Sequence, residues 1–190
     1  LKMLSGLLHP TRGGARGYVC ARGGLDGAGK LNKGDIAAIG GATRGEPRGG
    51  VRRWWLERFA PRRRLRVTCG AEAEEFSAEA RQVFYSSNYG VREESNRSGL
   101  RLAGPAVEPP FGGSMLTEGV SLGAVQVPSG GQPIILFVDQ QTTGGYPIVA
   151  NVITADISSV AQLRPRDSIS FELVAMERAR ALLMELEASL

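Results

Sequence analysis

Histidine and cysteine are nearly missing from this chain, which has one His and two Cys in 190 residues. His9 lies near a terminus, where chains fray, so neither a Ser-His nor a Cys-His nucleophilic centre is expected. Cys20 and Cys69 are far apart, and with a single imidazole they offer no ligand spacing for zinc. Acid–base chemistry is therefore left to carboxylates, Tyr, Lys or Arg. No run approaches the ~20 apolar residues of a membrane-spanning helix. Leu1–Leu8 carries one charge and no small-residue cleavage site, so no secretory signal is expected and the cytoplasm is the expected location.

Glycine, by contrast, is abundant. Its 26 copies, in a chain that is 42% hydrophobic, suit a globular protein rich in turns rather than a helical bundle. The length supports one ordinary domain, or one domain plus a fragment of another. The net charge of +4 is unevenly spread: nine arginines fall between Arg44 and Arg66, interleaved with Trp54, Trp55 and Phe59. That composition belongs to nucleic-acid surfaces. No nucleic-acid module accompanies it, however, and Gly45, Pro47, Gly49 and Gly50 mark a linker. Residues 44–64 are accordingly read as a solvated linker between an N-terminal segment, 1–43, and a domain at 65–175. The Trp54-Trp55 pair is expected to be an exposed partner surface. Gly24–Lys30 fits the first seven positions of a phosphate-binding loop. Leu31 stands where a hydroxyl should hold magnesium, and Asn32-Lys33-Gly34-Asp35 is turn chemistry, so the match is read as chance.

Periodicity predicts the remaining elements. Ser77 caps a helix running to about Tyr85, with Glu79 in its first turn. Arg101–Ala103 is a strand stopped by Gly104-Pro105, and Gly123–Pro128 is another, followed by a turn at Ser129-Gly130-Gly131. Two longer apolar strands, Ile134–Val138 and Ile148–Ile153, flank Gln140–Pro147. Asp156 to Leu163 forms a helical turn, and Ser168–Leu173 alternates as a half-buried strand. Met176, Ala179, Leu183, Leu186 and Leu190 line one face of a C-terminal helix at 176–190. From Leu65 onward these elements predict a closed or nearly closed β sheet with peripheral helices.

Three polar groupings fall where those strands are expected to end. Arg97 and Arg101 each suit bidentate binding of a carboxylate or phosphate, although Gly99 between them means they need not share a face. Glu118 precedes Gly119 ahead of an apolar stretch. Asp139 leads into Gln140-Gln141-Thr142-Thr143-Gly144-Gly145-Tyr146-Pro147, whose amides, hydroxyls and phenol exceed what a turn requires, and whose Gly-Gly lets backbone approach a ligand. Purely structural roles stand beside these: Arg97 pairing with Glu94 or Glu118, Asp139 capping its own loop, and Thr and Gln satisfying loop backbone.

Ser95–Pro105, Thr117–Val120, Gly123–Pro128, Gly131–Ile134, Asp139–Pro147 and Ala161–Pro165, in that order, closely resemble the biotin-dependent carboxyltransferase-like family. That family includes the C component of 5-oxoprolinase (KipA) and the carboxyltransferase portion of urea amidolyase, once called allophanate hydrolase subunit 2. The likeness covers roughly Leu65 to Val174. It implies a mainly β fold, a cyclophilin-like β-barrel, with a shortened N-terminal portion of a second barrel. It further implies a component that works with KipI-like and LamB/YcsF-like partner subunits to open 5-oxoproline to glutamate using ATP. Carboxyl transfer from carboxybiotin to urea, and a non-catalytic KipA-type regulator of a KipI-like kinase inhibitor, are the other implied roles. In such a site Asn96, Arg97, Arg101, Gln126, Gln141, Thr142, Thr143, Gly144 and Gly145 bind substrate and its developing anion. Asp139 or Glu118 takes a proton, and Tyr146 orients the ring amide. Departures from the family pattern are Ser98 and Leu100 where Met and Tyr are usual, Gln140 where Arg is common, and Ile148 where a basic residue is common. Tyr18–Asp26 resembles a family strand, but the Pro- and Gly-rich loop that should follow is contracted.

Overall fold

In β1, Arg64–Cys69, two arginines alternate with inward-facing Leu65 and Val67, which fixes one face of the strand to the core. A computed structural model describes residues 61–188. The expectations for 1–43, for 44–60 with Trp54-Trp55, for the Gly24–Lys30 segment and for Leu190 lie outside the described residues. After β1 come a 3-10 turn at Ala73–Glu75 and helix α1, Ala78–Ser86. Strands β2, Tyr89–Val91, and β3, Gly99–Ala103, precede a 3-10 segment at Pro110–Gly113. Then follow β4, Glu118–Gly119; β5, Ala124–Gln126; β6, Ile134–Leu136; β7, Thr143–Gly144; and β8, Ile148–Val152. Helix α2, Ile157–Gln162, strand β9, Ser168–Leu173, and helix α3, Met176–Glu187, complete the described chain.

Seven strands close into a barrel in the order β1-β8-β5-β6-β3-β2-β9, with β9 parallel to β1, and β4 and β7 form a separate two-stranded ribbon. Closure leaves the barrel without open edges. The expected mainly β, closed-barrel fold is thus what the chain adopts. Its interior holds Leu65, Val67, Leu100, Leu102, Val125, Ile135, Ile169 and Phe171, all buried. Helix α1 seals one side: Ser77 Oγ accepts from the Ala80 N–H at 3.1 Å, and Phe84 stacks on Phe171 with centroids 4.4 Å apart.

Several expectations need correction. The apolar run at 134–138 is shorter as a strand, because Phe137 turns into the core while Val138 is exposed where the chain reverses. Helix α3 buries Ala179 and Leu182 against Ile153, whereas Met176 is exposed, so the buried face is rotated from the expected one. The described arginines of the Arg-rich stretch, Arg62 to Arg64, are exposed and also make ion pairs. Arg63 meets Asp167 at 2.5 Å, Arg64 meets Glu172 at 3.6 Å, and Arg62 and Arg66 converge on Asp156.

Burial pushes the hydroxyls of Tyr85 and Tyr89 up to about 12. An unfolded Tyr ionises near 10, so the unfolded chain releases these protons first as pH rises. The stability is complete below pH ~10 and is lost as pH climbs toward 12. Urea melts followed by circular dichroism are expected to show a constant midpoint from pH 7 to 9 and a steep fall above ~10. Tyr89→Phe should flatten that fall, and an equally steep fall in the variant would reject Tyr89 as its source.

Candidate functional site

The sheet register brings together residues far apart in sequence. Arg101 on β3 is paired with Ile134 on β6, and Ile134 with Gln126 on β5. Alternation along each strand sends Leu100, Ile135 and Val125 inward and Arg101, Ile134 and Gln126 outward. A bulge between β5 and β8, where Val125 and Gln126 face Ala150 and Ile148, re-aims the end of β5. The polar groupings therefore do not all sit at strand ends: Arg101, in the middle of β3, belongs to the outer wall of the barrel, with Gln126 at the end of β5 on the same wall. Against that wall lies a small apolar cluster of Ala124, Leu136 and Ile148, with Val120 leaving the β4–β7 ribbon to pack on it.

A cleft of about 230 Å³ opens there, lined by Asn96, Ser98, Gly99, Arg101, Gln126, Ile134, Leu136, Gln141 and Tyr146. Its floor is Ile134 and Leu136; its polar wall is a guanidinium, three amides and a phenol. Among the described residues, no carboxylate lines it. Arg101 makes no ion pair among the described residues, so its donors face solvent and cleft. Gln126 is only 1% exposed, and its Nε2 donates to the Tyr146 carbonyl at 3.3 Å. Asn96, which lines the cleft, has its Oδ1 accepting from the Ser98 and Gly99 N–H groups at 2.9 and 3.2 Å. Nearby, Glu94 is held below the usual carboxylate range by a backbone hydrogen bond at its own residue and by the Arg92 guanidinium.

The other expected site residues are placed differently. Arg97 does not line the cleft; its Nη2 donates to Asp139 Oδ1 at 2.8 Å, and its Nε lies 2.7 Å from Oδ2 without aiming its hydrogen there. This pairing replaces the expected structural partners Glu94 and Glu118, and Asp139 does not cap its own loop. Glu118 is exposed on the ribbon opposite Gly144, and Thr143 is paired with Gly119. The Thr142 carbonyl accepts from the Val120 N–H at 3.0 Å, and that of Gly145 from the Met115 N–H at 2.9 Å. Gly144 does allow a close approach, but to a side chain of the protein itself: a Cβ there would stand 2.6 Å from Gln126 Nε2. Of the twelve expected residues, the cleft gathers Asn96, Arg101, Gln126, Gln141 and Tyr146. Sequence reasoning missed Ser98 and the apolar floor of Ile134 and Leu136, which only the outward phase of β6 would have revealed.

Among the described residues, no helix is long and apolar enough to cross a membrane, and no cluster of His, Cys, Asp and Glu suits a metal ion. Compared with known proteins, residues 13–173 match the family model described as carboxyltransferase domain, subdomain A and B. The chain is 36% identical over 159 residues to the C component of 5-oxoprolinase from Escherichia coli, covering 83% of this chain and 49% of the relative. It is 38% identical over 118 residues to the C component of 5-oxoprolinase from Haemophilus influenzae, covering 62% and 38%. It therefore spans less than half the length of either relative. Among solved structures, the urea amidolyase of K. lactis aligns with a TM-score of 0.62 at 29% identity, over 66% of this chain and 8% of that one.

Proposed function

The chain belongs to the carboxyltransferase domain family, subdomains A and B, and on that premise we propose that it serves as the C component of an ATP-dependent 5-oxoprolinase. With KipI-like and LamB/YcsF-like partner subunits, it helps open 5-oxoproline to glutamate. The observation that carries this reading is the outer-wall cleft, which combines the guanidinium of Arg101, without an ion pair among the described residues, three amides and an apolar floor. 5-Oxoproline is a small ring with a carboxylate at one side and a neutral lactam at the other. Arg101 takes the carboxylate, a charge-assisted contact. Ile134 and Leu136 carry the ring methylenes. Gln126, Gln141 and Asn96 hydrogen-bond the lactam, and Tyr146 at the rim orients it. In the net reaction the lactam C–N bond breaks, water supplies oxygen to the carbonyl carbon, and the nitrogen gains the proton. Neither Asp139 nor Glu118 lines the cleft, so we assign proton transfer to a group supplied by a partner. A triphosphate needs several cations or a nest of N–H groups; one free guanidinium does not fit ATP, and we assign its binding to one of the partner proteins.

The likeness to urea amidolyase supports a second reading, in which the same residues hold carboxybiotin, whose N-carboxylate on a neutral ring also fits Arg101 and the apolar floor. Urea or a similar small amide is then the acceptor, and biotin is carried by another chain.

The test is ATP hydrolysis by the three-component mixture with and without 5-oxoproline. Stimulation that requires this chain is expected, and Arg101→Met should raise KM for 5-oxoproline about 10- to 100-fold. Absence of stimulation from a stable complex overturns the reading in favour of a KipA-type regulator. Consumption of urea with carboxybiotin instead selects the second reading.

A further inference from the structure

We infer that Arg97 is a positioning residue whose ion pair with Asp139 clasps the two walls of the cleft mouth together, and that it is not itself a ligand-binding cation. One wall is the approach to β3, where Asn96 and Ser98 line the cleft; the other is the exit from β6, where Gln141 does. Between these walls the β3–β6 ladder continues past its last formal pair. The Phe137 N–H donates to the Ser98 carbonyl at 3.0 Å, and the Asp139 N–H to the Arg97 carbonyl at 3.0 Å.

Each wall is stiff in itself. On the β3 side, Asn96 Oδ1 caps two N–H groups, and Ser95 Oγ accepts from the Arg101 N–H at 3.0 Å. On the β6 side, the Gln140 N–H closes a tight turn onto the Phe137 carbonyl at 2.8 Å, and Gln140 Nε2 donates to the Val120 carbonyl at 3.2 Å. Among the described residues, the Arg97–Asp139 pair is the side-chain link from one wall to the other, spanning 42 positions of sequence. The Arg97 side chain is only 25% exposed and meets Asp139 through the Nη2 hydrogen bond and the close approach of Nε, whereas Arg101, not Arg97, lines the cleft. Two arginines four apart thus divide the work: one sets the spacing of the walls, and the other meets the anion.

The functional consequence rests on the reading of the cleft as the 5-oxoproline site, but the clasp itself is testable without it. Amide hydrogen exchange on the full chain is expected to show protection at Phe137 and Asp139, whose N–H groups bridge the walls, falling about tenfold or more in Arg97→Met, with Leu100 and Val125 unchanged. In the assembled complex, Arg97→Met should raise KM for 5-oxoproline about tenfold while kcat moves less than about threefold. The charge-swapped double variant, Arg97→Asp with Asp139→Arg, should recover most of the lost protection that each single swap removes. Unchanged exchange at Asp139 in Arg97→Met, or a double variant no better than its parents, overturns the clasp. Lost protection with KM unaltered overturns its role in the site. A wild-type complex indifferent to 5-oxoproline would reject the proposed function while leaving the exchange result to judge the clasp.

Discussion

Replacing Asp156 with Ala is expected to cost about 3–5 kcal/mol of stability, enough to unfold a marginal domain. Asp156 is fully buried and accepts from the Arg66 backbone N–H at 2.8 Å and from Arg66 Nε at 3.0 Å, with Nη2 also in contact. Hydrogen bonding to Asp156, against the opposing effect of burial, leaves the Arg66 pKa raised. Truncation strands a mostly buried guanidinium and an unpaired N–H in one step. Arg62 contacts the same carboxylate from 3.6 Å with its side chain 46% exposed, so Arg62→Ala should cost less than about 1 kcal/mol. Urea melts separate the two: Asp156→Ala lowers the midpoint by roughly 1–3 M, and Arg62→Ala barely moves it. Equal shifts would mean that Asp156 matters only as an exposed-type partner. Replacing Asp156 and Arg66 together by Leu should recover much of the loss, because no charge is then left alone.

The second large effect is expected at Gly113. Its φ is +79°, and a Cβ there would stand 2.2 Å from the Ser129 nitrogen and 2.4 Å from the Ser129 Cα. Both obstacles are backbone, so neither can swing aside. Gly113→Ala combines left-handed strain of about 1–2 kcal/mol with overpacking of about 1–3 kcal/mol. Gly112 supplies an internal control: its φ is +64°, but nothing lies within 4 Å of the added methyl. Gly112→Ala should show the strain alone. Denaturation of both variants then isolates the packing contribution as their difference, and a difference near zero would show that the Pro128–Ser129 turn gives way.

Elements governed by local chemistry were legible in the sequence. Ser77 announced its helix, and the alternation of Ser168–Leu173 marked a strand with the bounds that the structure shows. The six ordered motifs carried the family, and with it the closed barrel. What could not be read was register. Nothing local says that Arg101, Ile134 and Gln126 stand side by side on the outer wall, since that depends on which strands pair and on one bulge. The same holds for Arg97. Its nearest acids in sequence, Glu93 and Glu94, pair instead with Arg166 and Arg92, whereas Asp139 meets it through the fold. Residue types assigned two arginines to one expected site, whereas Arg101 lines the cleft and Arg97 does not.

The division of each strand between an inner and an outer face has a consequence for how such a protein changes over time. On β3, Leu100 and Leu102 hold the barrel together while Gly99 and Arg101 line the cleft. On β6, Ile135 is committed to the interior and Ile134 with Leu136 to the cleft floor. Recognition and folding are thus written in alternate letters of the same short words. Gly99, Gln126 and Leu136 are themselves buried, and a Cβ at Gly99 would stand 3.0 Å from Ile134, so a library confined to 101 and 134 would vary the cleft while leaving the scaffold intact.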